Sequence, residues 1–180
     1  MAVLAAAVIL LGGLVLVNLL LTGAVIRKLR KIVKETSAGR PESAGLAVGA
    51  EVPAFSARTV ADTEVSADDL AGAPTLVGFF STDCRHCLPK APGFAAAAGE
   101  AAAAGVRTLA VIVTGQEEPA DLLAALADDV RVVVENEGGA MTGAFAVAAF
   151  PSFFLVGPDA TVTATGHEPD RLLPAPSRAR

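Results

Sequence analysis

Read as a pattern of apolar and polar positions, the chain changes character three times. Residues 2–26 carry no charge, and only Asn18, Thr22 and a few glycines interrupt their apolar run. A helix of that length is about 37 Å long, enough to cross a hydrocarbon layer of about 30 Å with some tilt. Apolarity on every face argues against a buried helix of a water-soluble domain. No Lys or Arg precedes the run, which is also longer than the apolar region of a signal peptide, and no lipobox cysteine follows it. Residues 1–26 are therefore predicted to be an uncleaved, single-pass transmembrane anchor. Residues 27–48 begin with Arg27, Lys28, Arg30, Lys31 and Lys34 and continue without periodicity, which predicts a basic juxtamembrane segment and a linker.

From residue 49 the pattern becomes that of a folded α/β domain, predicted to extend to residue 173. The alternation from Val52 to Thr59, the turn at Asp62-Thr63 and Glu64-Val65-Ser66 predict a short β-hairpin. Residues 66–70 read as a single helical turn capped by Ser66 and ended by Gly72. The run 75–80 is short and apolar throughout, as in a central strand buried on both faces. A long alanine-rich helix is predicted from Cys84 to about Ala104, with Pro89 in its first turns, Pro92 to kink it and Gly105 to end it. Strands are predicted over 107–113 and 130–134, helices over 119–127 and 140–146, and a closing hairpin from Phe150-Pro151 through the turn 157–160 to Thr165. Only 169–173 has helical character after that, and residues 174–180 read as a disordered tail. Strands alternating with helices and closed by a hairpin indicate a mixed sheet with helices on its faces.

Charge divides the chain at the same place. Residues 1–40 hold six Lys/Arg and one acid, a net of +5, so the overall −5 leaves −10 for residues 41–180. An acidic domain excludes the basic face that nucleic acid requires. The basic segment is suited to anionic lipid headgroups, with membrane contact expected through residues 2–34. There is no Trp or Tyr, so the core must rest on Val, Leu, Ala and eight Phe.

The only two cysteines form the motif Cys84-Arg85-His86-Cys87, directly after the buried run 75–80. A C-x-x-C pair between a strand and a helix suits reversible disulfide chemistry. The helix start favours the thiolate of the first sulfur, and the second, one turn on, can close a disulfide with it. Arg85 and His86 place positive charge between the sulfurs and are candidates for tuning the thiolate, which would make the couple more oxidising. A structural zinc site would need four ligands, and there is no second cysteine pair; His86 lies inside the motif and His167 is distant. No nucleotide loop or Ser-His-Asp triad is present, and no cofactor or metal is implied. Cys84 is the candidate nucleophile and Cys87 the resolving residue.

These features, in this order, resemble the thioredoxin fold. The opening Val52-Pro53-Ala54-Phe55 and the tether are similar to the membrane-anchored TlpA/ResA-like branch, which includes MauD-type chains, and the likeness spans residues 49–173. The resemblance implies that Phe150-Pro151 is a cis bond lying against the active-site cysteines, with Phe150 offering backbone hydrogen bonds to an extended substrate. It also shows departures. Asp83 stands where thioredoxins carry Trp, an anion expected to oppose Arg85 and His86, and Gly78 stands where they carry a buried acid.

The resulting expectation is a monomeric, membrane-tethered oxidoreductase acting on protein thiols or disulfides together with an upstream redox partner. Two other readings stay open. A peroxiredoxin-like peroxidase would use Ser81, three residues before Cys84, although Val77 occupies the position where that family has proline. A tethered dithiol could also bind Cu(I) without catalysis. The cations after residue 26 argue for a cytoplasmic domain by the positive-inside rule, whereas the resemblance favours the extracytoplasmic side.

Overall fold

The computed structural model describes residues 12–13, 45–126 and 130–173. The expected anchor (except Gly12-Gly13), the basic segment and the C-terminal tail lie outside them. Among the described residues no helix is long and apolar enough to cross a membrane.

The domain opens with the antiparallel hairpin β1 (Ser56–Arg58) and β2 (Glu64–Ser66), in which Ser56 faces Ser66 and Arg58 faces Glu64. Asp62 takes φ 60° in the connecting turn, a left-handed conformation that aspartate tolerates better than most residues. The next turn is a 3-10 helix, Asp68–Leu70, and its cap runs opposite to the expectation. Ser66 caps nothing; its N–H and hydroxyl donate to Asp69 Oδ2 at 2.7 and 2.9 Å, which lowers the Asp69 pKa. An ionised carboxylate is a stronger acceptor than a neutral serine hydroxyl.

A five-stranded sheet follows, in the order β5-β4-β3-β6-β7. Its centre is β3 (Thr75–Ser81), of which every residue is buried. Strand β4 (Arg107–Thr114) lies parallel to β3 and pairs Phe80 with Ile112; β5 (Arg131–Asn136) lies parallel to β4. On the other edge of β3, β6 (Ser152–Val156) and β7 (Val162–Gly166) form the antiparallel hairpin predicted from Phe150-Pro151 onward. The intervening helices are α1 (Cys87–Ala103), α2 (Ala120–Ala125) and α3 (Ala140–Ala144).

Alternation along β3 sends Leu76 and Phe80 to one face and Val77 and Phe79 to the other, so the sheet divides two apolar cores. On one face Phe79 meets Phe145 and Phe154, with ring centroids 5.1 and 5.7 Å away. On the other, Phe80, Phe94 and Phe153 form a triangle with all three centroid distances between 5.5 and 5.7 Å. Truncating any of these buried rings would cost about 3–5 kcal/mol.

Helix α1 buries Cys87, Ala91, Phe94, Ala98 and Ala101, a spacing that keeps one face on the sheet. Small alanines along that face let the helix approach closely. The approach is tightest at Gly78, where an added Cβ would lie 2.6 Å from the Phe94 ring. The position of the buried acid in thioredoxins is thus occupied by an aromatic ring from α1.

Two boundaries differ from the sequence reading. Helix α1 begins at Cys87, not Cys84. Residues 169–173 form no helix; the Leu172 N–H closes a single turn on the Pro169 carbonyl at 3.1 Å, and Leu172 and Leu173 pack on the α1-side core. Pro174 and Pro176 follow at once, and a proline disfavours helical backbone in the residue before it.

Candidate active site

The site lies at the C-terminal end of β3, where the chain turns from sheet to helix. The Cys84 N–H donates to the Ser81 carbonyl at 3.2 Å, and the Cys87 N–H to the Cys84 carbonyl at 2.9 Å. Cys84 therefore sits in a turn ahead of the helix, and Cys87 is the first helical residue. Both cysteines are free thiols.

Their surroundings differ. Cys84 is partly exposed, and its thiol donates to the Phe150 carbonyl at 3.4 Å, 66 residues away along the chain. Cys87 is fully buried in the α1-side core. Burial, the Cys84 thiol beside it and the charge that Cys84 can carry push the Cys87 thiol up to about 12, against one lowering contact from the Ser81 N–H at 3.4 Å. Desolvation penalises a thiolate, so Cys87 holds its proton.

Phe150-Pro151 is a cis peptide bond, as the resemblance implied. It brings the Phe150 carbonyl to Cys84. The Phe150 ring is partly buried and packs against both cores, so it anchors the loop rather than presenting an open apolar wall. His167, which the sequence reading considered only as a distant metal ligand, holds the next carbonyl, with its Nδ1 2.9 Å from the Pro151 oxygen. Nothing in local sequence linked these two residues; only the β6–β7 pairing brings them together.

Arg85 and His86 are both exposed, and the contact they make is with each other, Arg85 Nε donating to His86 Nε2 at 3.0 Å. The Asp83 carboxylate is engaged by another segment of the chain. Its Oδ1 accepts the Gln116 N–H at 3.0 Å, so the carboxylate is turned toward the β4–α2 connection and engaged there. Ser81 Oγ accepts the Asp83 N–H at 3.3 Å, and Val77 is a fully buried mid-strand residue paired with Leu109 and Phe154. Among the described residues no cluster of three or more His, Cys, Asp and Glu is placed to hold a metal.

A partly exposed thiol facing a backbone carbonyl next to a cis proline, with a buried second thiol one turn on, is the arrangement that the resemblance to the thioredoxin fold implied. The chain belongs to the AhpC/TSA family, which its residues 48–165 match. No curated protein sequence matches it. Among solved structures it is similar to the thioredoxin domain of a thiol-disulfide oxidoreductase from Bacteroides vulgatus, at 23% identity over 71% of this chain and 93% of that one, with a TM-score of 0.57. A thiol:disulfide interchange protein from Bacteroides sp. is 22% identical over 71% of this chain and 86% of its own, with a TM-score of 0.56. A secreted disulfide oxidoreductase of Mycobacterium tuberculosis, homologous to E. coli DsbE, is 17% identical over 64% and 84%, with a TM-score of 0.52. At these identities the likeness establishes the thioredoxin-like fold.

Proposed function

We propose that the protein is a membrane-tethered thiol–disulfide oxidoreductase that exchanges disulfides with protein substrates through Cys84 and Cys87. The observation that carries this reading is the asymmetry of the two thiols: one accessible beside the Phe150 carbonyl, the other buried and holding its proton. In the reducing direction the Cys84 thiolate attacks one sulfur of a substrate disulfide. The substrate S–S bond breaks, the leaving sulfur takes a proton, and a mixed disulfide forms. Cys87 then loses its proton and attacks the Cys84 sulfur. The second substrate sulfur leaves as a thiol, and two electrons have passed to the substrate as the Cys84–Cys87 disulfide closes. The oxidising direction is the reverse. The Phe150 carbonyl, occupied by the Cys84 thiol in the reduced site, is freed for a substrate N–H once that proton has gone.

The uncharged run 2–26 and the basic residues after it support the tether. The secreted relative of known structure supports an extracytoplasmic domain, on the side where disulfides persist. A peroxidase reading is favoured by the family match and by Ser81. However, the Ser81 hydroxyl is engaged by the Asp83 N–H, and Val77 stands where the proline should be.

The test is trapping in cells. Cys87→Ala should accumulate disulfide-linked protein adducts that stay with alkaline-washed membranes, and Cys84→Ala should accumulate none. On the unaltered protein, a membrane-impermeant maleimide added to intact cells after a mild reductant should label Cys84 if the domain faces outward. Equal trapping by both variants would overturn the assignment of roles, and adducts that wash off the membrane would overturn the tether.

A further inference from the structure

The segment after β4 is fastened to the turn before Cys84 by contacts that disulfide exchange itself does not require. Thr82 Oγ1 accepts the Gly115 N–H at 2.9 Å, beside the bond from the Gln116 N–H to Asp83. The Asp83 carboxylate lies so close over Gly115 that a Cβ there would be 2.1 Å from Asp83 Oδ2. Position 115 therefore has no room for a side chain while Asp83 is in place.

The segment held in this way runs through Glu117 and Glu118 into α2 and walls a cavity of about 260 Å³. Cys84, Arg85 and Leu88 line one side of it; Glu117, Glu118 and Asp121 line the other. The volume is below the range of about 300–1,000 Å³ typical of small-molecule sites, so it suits one side chain of a larger partner. All three carboxylates are exposed, and none forms an ion pair among the described residues. The single cation on the wall, Arg85, is turned to His86. Leu88 is 44% exposed and offers apolar surface to a methylene stem.

Building on the exchange activity proposed above, we propose that this cavity receives a lysine or arginine side chain adjacent to the reactive cysteine of a protein substrate. Glu117, Glu118 and Asp121 are the specificity-determining residues, and Asp83 is the positioning residue that holds their segment beside the nucleophile.

The test uses the reduced full-length chain in detergent micelles and two disulfide-cyclised peptides, identical except for Lys or Glu next to one cysteine. At low ionic strength the Lys peptide should be reduced about fivefold to tenfold faster, because a few exposed charge pairs act together, and the ratio should shrink in about 0.5 M salt. The triple variant Glu117→Gln, Glu118→Gln, Asp121→Asn should bring the ratio to about one. Asp83→Ala should lower it, whereas Asp83→Asn, which still accepts the Gln116 N–H, should keep it. Equal rates for the two peptides on the unaltered protein, or a ratio that survives the triple variant, would overturn this specificity and leave the exchange activity standing. If neither peptide is reduced, the activity and the specificity fall together.

Discussion

Only Arg85 and His86 separate Cys84, in its turn, from Cys87, in the first turn of α1, yet the two regions give a thiol opposite properties. The Cys84 turn is open to solvent, and its sulfur finds a carbonyl from a loop far along the chain. At the start of α1 the Cys87 side chain is fully buried, and its sulfur belongs to the same core as Phe80 and Phe94. The difference shows how one motif divides labour. In the exchange proposed above, the accessible sulfur would begin the reaction and the buried one would attack only a partner already bonded beside it. Whatever holds α1 against β3 therefore governs Cys87, whereas what surrounds the turn governs Cys84.

The largest effect should come from the α1 side. Gly78→Asp would restore the acid that thioredoxins carry, but in this chain the space belongs to Phe94. A buried carboxylate forced against a ring, whose carbon atoms are its nearest neighbours, should cost more than about 3 kcal/mol and lower the urea midpoint accordingly. The double variant Gly78→Asp, Phe94→Ala makes room for the acid and should be less destabilised than the sum of the two single changes, since the residues touch. Additive losses in equilibrium unfolding would show that the ring is not what excludes the acid.

A second, smaller effect should appear with pH. The Cys87 thiol is raised from its ordinary 9.0 to about 12 in the folded, reduced protein. Between these values the unfolded chain releases the proton and the folded one keeps it. The contribution to stability is thus complete below pH 9 and is lost as pH rises toward 12. The oxidised protein has no such proton. Urea midpoints at pH 8 and pH 10.5 should therefore fall further for the reduced form than for the oxidised form. In Cys84→Ala, Cys87 should also be alkylated at pH 8 about a hundredfold more slowly when folded than in urea. Equal pH responses of the two forms would mean that burial does not hold the Cys87 proton.

The sequence made the α1 side legible in pattern but not in contact. The run 75–80 announced a buried central strand because only a strand covered on both faces tolerates six such residues in succession, and β3 is that strand. The alanine-rich segment and the closing hairpin were legible for the same reason of periodicity. Gly78 looked like a missing acid, and only packing shows that Phe94 fills its place. The Cys84 side depended more on tertiary structure. Asp83 read only as a neighbour of Cys84, and its contact with the Gln116 amide, 33 residues on, was not legible. The bonds from Cys84 to Phe150 and from His167 to Pro151 join segments that no local pattern connects. The helix start was misplaced by three residues because the Cys84 turn uses helix-like hydrogen bonds before the helix itself begins.

The smallest expected effect concerns the charges between the sulfurs, and it sharpens the contrast because Arg85 and His86 belong to the open side. Their one side-chain contact is mutual, and both heads lie in solvent. An exposed charge near a helix start is worth about 0.3–1 kcal/mol at low salt and is screened as salt rises. Alkylation of Cys84 at pH 7 by iodoacetamide should therefore slow by about twofold to fivefold in Arg85→Ala, with most of the difference gone in about 1 M salt, and by less in His86→Ala, whose ring accepts from Arg85. The two changes should also be non-additive, since removing either partner frees the other. A loss much larger than this, persisting at high salt, would mean that one of them touches the sulfur directly in solution, and the open side would then be as specifically built as the buried one.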